Sequence, residues 1–127
     1  MAVTASWYDD DRRIVHFRFQ HPWTIGEFFA VNGTMGAEVA TFTHEVDALL
    51  DFTASGPISL EAVMGFRRVT SKNGAIQVQG ISVVFGHHTL PVIIKSITAV
   101  IPAAANRIYL AQDIDDALRI IADHRAS

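Results

Sequence analysis

The stretch VDALLDF, residues 46–52, has the length and the apolar density of a strand in the middle of a sheet. A helix is predicted on either side of it. The first begins at Thr24, which forms a capping-box pattern with Glu27, and runs to about residue 42. The second covers about 59–72. A strand that follows one helix and precedes another is typical of a βαβ arrangement with a parallel sheet.

The rest of the chain continues this alternation. A β-hairpin is predicted ahead of the first helix, and the second helix is followed by strands and helices in turn: hairpin strands 3–8 and 14–19, a weaker extended run 75–79, strand 81–85, helix 90–104, strand 108–111 and a last helix from Asp113. Helices between the later strands imply right-handed crossovers. We therefore predict one α/β domain over 1–127, with a mixed, mainly parallel sheet of four to five strands, an N-terminal hairpin and about four helices.

Composition excludes several classes of protein. Hydrophobic residues make up 50% and charged residues 18% of the 127 positions, which excludes intrinsic disorder. A net charge of -3 provides no basic field for nucleic acid, and the absence of cysteine excludes disulfides and thiolate metal sites. No apolar run approaches the roughly 20 residues that span a bilayer, and the first residues lack the pattern of a signal peptide. We expect a cytoplasmic domain.

Catalytic and metal-binding motifs are not found. The six histidines show no HxH or HExxH spacing, and neither a phosphate-binding glycine loop nor a GxSxG motif occurs. We therefore predict no metal, no cofactor and no enzymatic activity. Asp47 and Asp51 are four residues apart in one strand, so they share a face and offer an acid–base pair, although an aspartate at a strand end, such as Asp51, more often caps the following turn.

Hydroxyl side chains cluster where the central strand gives way to the second helix. Thr53, Ser55 and Ser59 lie in this turn. Unpaired backbone N–H groups at a helix start favour an anion or a partner's phosphoryl group, which makes the turn a candidate partner- or anion-binding site. Plain helix capping uses the same residue types and is the alternative.

The third helix is apolar on almost every side, with only Lys95, Ser96 and Thr98 polar between Leu90 and Ile101. Such a helix is buried on more than one side, and a second subunit is the predicted cover, giving a homodimer. Other helices of the same domain and an apolar ligand are the alternative covers. The candidate ligand pocket consists of Phe28, Phe29, Phe66, His87, His88 and Ile97, where the two histidines follow a strand at the edge at which α/β sheets bind ligands.

The order of these elements resembles a known family. The hairpin, the helix start PWTIGEF at 22–28, the strand 46–52 and the closing strand and helix from 108 to 121 are similar to those of STAS-like, SpoIIAA-like domains. The resemblance covers nearly the whole chain and is carried by pattern and element order. It implies a small α/β interaction domain that is not an enzyme.

The resemblance also implies a site. Anti-sigma factor antagonists of this family bind a partner kinase and are switched by phosphorylation of a serine in an Asp-Ser-Gly-like stretch at the second helix. Ala54-Ser55-Gly56 is the nearest match here, with Ala54 in place of the acidic residue, so Ser55 inherits that role and Thr53 is the poorer candidate. Lipid-binding Sec14-type domains share the general fold, which makes a small apolar-ligand or lipid carrier the alternative function.

Overall fold

The computed structural model describes residues 2–73 and 80–126 and arranges them as one α/β unit. The strands are β1 (Val3–Trp7), β2 (Ile14–Gln20), β3 (Asp47–Ala54), β4 (Ser82–Phe85) and β5 (Ile108–Leu110). The helices are α1 (Ile25–Val39), α2 (Leu60–Asn73), α3 (Leu90–Val100) and α4 (Ile114–Ala126), with a 3-10 helix over Pro102–Asn106. The predicted class, hairpin and four helices are confirmed. The predicted extended run over 75–79 lies outside the described residues.

The five strands stand in the sheet in the same order as in the chain. β1 is antiparallel to β2, whereas the pairs β2–β3, β3–β4 and β4–β5 are parallel. This confirms the predicted mixed, mainly parallel sheet. Each crossover after the hairpin moves one strand further in the same direction. Because such crossovers are right-handed, α1, α2 and α3 lie together on one face of the sheet. The last helix, α4, follows β5 and packs on the other face.

Phenylalanine rings form the centre of the core under the three helices. Phe19 of β2 and Phe52 of β3 stack with their centroids 4.3 Å apart. Phe28 of α1 and Phe66 of α2 lie 5.5 and 6.1 Å from the Phe19 ring. Burial of each ring contributes about 2 to 3 kcal/mol, so these four side chains fix α1 and α2 on the sheet.

The start of α1 has the predicted capping box. Thr24 Oγ1 accepts from the Glu27 backbone N–H at 3.2 Å, and Glu27 Oε1 accepts from the Thr24 N–H at 3.0 Å. The preceding Trp23 donates its indole N–H to the Ser55 carbonyl at 3.1 Å. The start of α1 is thereby joined to the turn that follows β3.

A buried carboxylate joins α4 to the sheet. Asp47, at the start of β3, is 4% exposed at its side chain and accepts from the Ile81 N–H at 2.8 Å and from Arg125 Nε at 2.9 Å. The same guanidinium donates to the Arg13 carbonyl at 2.9 Å. A β-carbon on Gly80 would overlap the Asp47 carboxylate, so a glycine is needed beside it.

The third helix ends at Val100, short of the predicted end at residue 104. Pro102 has no backbone N–H with which to continue the α-helical ladder, and the chain proceeds as the 3-10 helix instead. None of the helices in 2–73 and 80–126 is long and apolar enough to cross a membrane.

Candidate functional site

The turn between β3 and α2 contains the three hydroxyl side chains that the sequence singles out. Ser59 caps α2, because its Oγ accepts from the Ala62 backbone N–H at 3.1 Å. Thr53 is exposed and bonds to Asp51 through its hydroxyl and through its N–H, which lies 2.9 Å from Asp51 Oδ1. Both residues therefore take part in local capping at the surface.

Ser55, between them, is completely buried. Its Oγ donates to the Gly56 carbonyl at 2.9 Å, and its own carbonyl accepts from the Trp23 indole. Gly56 has a φ of 65°, and a β-carbon there would lie 2.8 Å from His21 Nδ1. The turn is thus closed around Ser55, and a kinase or a partner reaches this hydroxyl only after the turn opens.

A histidine–carboxylate pair, which the sequence analysis does not predict, lies on the α4 side of the sheet. His16 of β2 is almost fully buried, and its Nε2 lies 3.1 Å from Asp51 Oδ2. Burial lowers the pKa of His16 more than the hydrogen bond to Asp51 raises it. Burial alone would raise the pKa of Asp51, but hydrogen bonds from Thr53 and His16 bring it below its usual value.

The ionised Asp51 only accepts hydrogen bonds, so at neutral pH a neutral His16 donates its Nε2–H to it. The imidazole packs between Tyr8 and Phe85, at centroid distances of 6.3 and 6.5 Å. A carboxylate that orients an imidazole is part of many general-base sites. Here the pair joins two neighbouring strands. Asp47 shares the face, as predicted, but it lies at the opposite end of β3 and binds Arg125.

An apolar cleft lies between α2 and α3 on the other face. Its walls come from both helices, the sheet and the Ile58 turn: Leu50, Phe52, Ile58, Phe66, Ser82, Val84, Leu90, Ile93, Ile94, Ile97 and Ile108. Of the residues predicted to form a ligand pocket, Phe66 and Ile97 line it. The volume is about 40 Å³, room for a water molecule or two.

Exposed apolar side chains are concentrated on the two helices beside this cleft, although none of them lines it. Of the six large hydrophobic side chains that are exposed in the described part of the chain, four lie on α2 and α3: Leu60, Met64, Val92 and Val100. Leu60 is 77% and Val92 73% exposed. The outer face of α3, predicted to be covered, is therefore open in the single chain. These four residues and the cleft together are called the α2–α3 face.

The other predicted pocket residues lie apart from the cleft. Phe28 is fully buried in the core, and the neighbouring Phe29 packs against its edge. His87 and His88 follow β4, and their rings stack at 4.5 Å because the chain turns there, whereas two successive residues of a strand point to opposite sides. His87 Nδ1 lies 2.8 Å from Thr89 Oγ1, so this ring belongs to the start of α3.

Across residues 2–73 and 80–126, no three histidine or carboxylate side chains come together as metal ligands. No protein-family model, no curated protein and no solved structure matches this chain. The function is therefore inferred from the fold and from two surfaces of the molecule, the β3–α2 turn and the α2–α3 face.

Proposed function

We propose that this protein is a non-enzymatic interaction domain of the STAS-like type. It self-associates, and it binds a different protein through the α2–α3 face. The observation that carries the proposal is that four of the six exposed large hydrophobic side chains in the described part of the chain lie on α2 and α3, the two helices that flank the apolar cleft. Contiguous apolar surface rimmed by polar residues marks protein contacts. Burying Val92 and Leu60 against a partner would contribute about 1 to 2 kcal/mol each.

The polar groups of the β3–α2 turn support an interaction role rather than catalysis. Ser59 and Asp51 bond to backbone N–H groups, and the Ser55 hydroxyl is closed off. Regulation through Ser55, as the family resemblance implies, would require a conformational opening of the turn. Thr53 and Ser59 are exposed in this turn and can be reached by a partner without such a change.

Site-specific photocrosslinking tests the partner proposal. A photoreactive phenylalanine analogue is placed at Val92, at Met64 and, as a control, at Arg119 on the exposed side of α4, and the cells are irradiated. We expect one discrete adduct of the same mass from the first two positions and none from the third. Adducts of equal intensity from all three positions, or from none, would contradict the proposal.

A small apolar-ligand carrier is the second candidate, because ten of the eleven residues that line the cleft are apolar and Ser82 is the exception. A lipid-sized ligand needs several hundred Å³, so α2 and α3 would have to separate to admit it. Native mass spectrometry distinguishes the two functions. A carrier shows an extra mass that is lost on denaturation, whereas an interaction domain shows whole multiples of the chain mass.

A further inference from the structure

The outer edge of the sheet at β1 is an open strand edge. β1 is paired on one side only, with β2. Hydrogen bonds from the Tyr8 N–H to the Ile14 carbonyl and from the Gln20 N–H to the Ala2 carbonyl, both 2.8 Å, fix which residues face β2. Since this pattern alternates along an antiparallel strand, the N–H and C=O groups of Val3, Ala5 and Trp7 point outwards. No partner for them lies among the described residues.

Sheet edges usually carry a feature that blocks further pairing, such as a charge, a proline, a bulge or very short length. β5, at the opposite edge, has three residues. β1 has five, VTASW, with no charge, no proline and no break in its register with β2. β1 therefore lacks each of these blocking features.

We propose that β1 pairs antiparallel with β1 of a second copy, around a twofold axis at Ala5, so that two five-stranded sheets join into one. The proposal rests on the self-association proposed above and states that the β1 edge is the surface through which the two copies bind. Ala5 then lies opposite its own copy, and Val3 lies opposite the partner's Trp7. The outward groups of three residues per chain form about six backbone hydrogen bonds.

The side chains of β1 are complementary to themselves in this register. Thr4 lies opposite the partner's Ser6, which pairs hydroxyl with hydroxyl on the exposed face. Val3, Ala5 and Trp7 lie on the face that α1 covers. No like charges meet, which is the usual obstacle to pairing a strand with its own copy.

A groove beside β1 provides room for the partner's α1. It has a volume of about 460 Å³ and runs between β1 and α1. On the helix side it is lined by Ala30, Val31, Thr34 and Met35. Gly33 and Ala37 are exposed on the same helix, and a β-carbon on Gly33 would meet nothing within 4 Å. Small side chains allow two helices to approach closely, at about 8 to 10 Å between axes.

Two carboxylates near the ends of β1 already have partners. Glu27 accepts from the Ala2 N–H at 3.2 Å and from the Thr24 N–H. Glu38 accepts from the Trp7 indole at 3.3 Å and pairs with Arg12 at 3.5 Å. A second copy therefore meets neither of these two carboxylates in an unpaired state, which favours self-pairing over a basic partner.

The test introduces charges at two exposed positions. The double variant Thr4→Lys with Ser6→Lys places lysines directly opposite each other across the axis. Both side chains point to solvent in the single chain, so the fold, followed by far-ultraviolet circular dichroism, is expected to survive. Sedimentation and native mass spectrometry should show a dimer for the unchanged protein and at least a tenfold rise in the dissociation constant for the double variant.

A mixture of two oppositely charged variants then tests whether strand pairing can be restored. The double variant Thr4→Glu with Ser6→Glu is also expected to be monomeric, and mixing it with the lysine variant should give a heterodimer of the summed mass. Val92→Glu, on the distant α3, should leave the dimer intact. A monomeric unchanged protein would refute self-association itself. A dimer that persists in the lysine variant, an absent heterodimer, or dissociation by Val92→Glu alone would refute the β1 edge as the contact.

Discussion

Replacing Arg125 with alanine removes the partner of a buried carboxylate. Asp47 then keeps the Ile81 N–H as a donor and loses the guanidinium, while the Arg13 carbonyl loses its donor. Removing one member of a buried ion pair costs about 3 to 5 kcal/mol. Arg125 is 37% exposed, so water replaces part of its contribution, and we expect a loss of about 3 kcal/mol.

Urea unfolding followed by tryptophan fluorescence measures this loss. With a slope of about 1.5 kcal/mol per M, the midpoint should fall by about 2 M. Arg119→Ala is the matched control, because Arg119 lies on the same helix and makes two ion pairs, with Asp116 and Asp123, at the surface. Exposed pairs contribute little, so the control should unfold close to the unchanged protein.

A double-mutant cycle separates the ion pair from the loss of side-chain packing. Asp47→Asn keeps an acceptor for the Ile81 N–H and removes the buried charge. We expect Arg125→Ala to cost at least about 1.5 kcal/mol less in the Asp47→Asn background. Equal costs in both backgrounds, or equal midpoints for Arg125→Ala and Arg119→Ala, would refute the assignment of this pair as the attachment of α4.

Three further outcomes follow from the structure. The pKa of His16 is below its ordinary value in the folded protein, so the unfolded chain binds the proton first and the free energy of unfolding should fall as the pH drops below about 6.5. The lowered pKa of Asp51 extends that loss below about pH 4, and His16→Gln should flatten the upper part of a pH series of urea midpoints. Gly86→Ala should cost at least about 2 kcal/mol in the same assay, because Gly86 has a φ of 102° and a β-carbon there would lie 2.5 Å from a backbone nitrogen of β3. Gly26→Ala, which meets only an ordinary 3.8 Å contact, should be neutral or stabilising and serves as its control. Ser55→Asp should lower the melting temperature because it buries a carboxylate, and a variant with unchanged melting would show that the turn opens readily.

Most of the fold could be predicted because it depends on local patterns. Alternation in residues 14–19, the capping box at Thr24 and the helical stripe of α4 each act over a few residues. Together they define a sheet that is parallel after the hairpin. The predicted end of α3 lies too far along the chain because an apolar run continues past Pro102, whereas the missing N–H of that proline outweighs the pattern.

The candidate sites were harder to predict because they depend on contacts across strands. The pairing of His16 with Asp51 follows from the register of β2 and β3, in which Arg18 lies opposite Asp51. Alternation put both side chains on one face, which was the available signal, but their distance needs the register. The burial of Ser55 similarly depends on Trp23, a residue 32 positions earlier in the chain.

The order of the strands also shapes how the chain folds during synthesis. Each strand pairs with the strand that leaves the ribosome just before it, so the sheet and its three helices grow from one edge without waiting for distant segments. The ion pair between Arg125 and Asp47, which are 78 residues apart in the chain, forms last. Until α4 emerges, Leu49, Val83 and Phe85 face water, and a nascent chain arrested before Ile114 should be the species that chaperones retain.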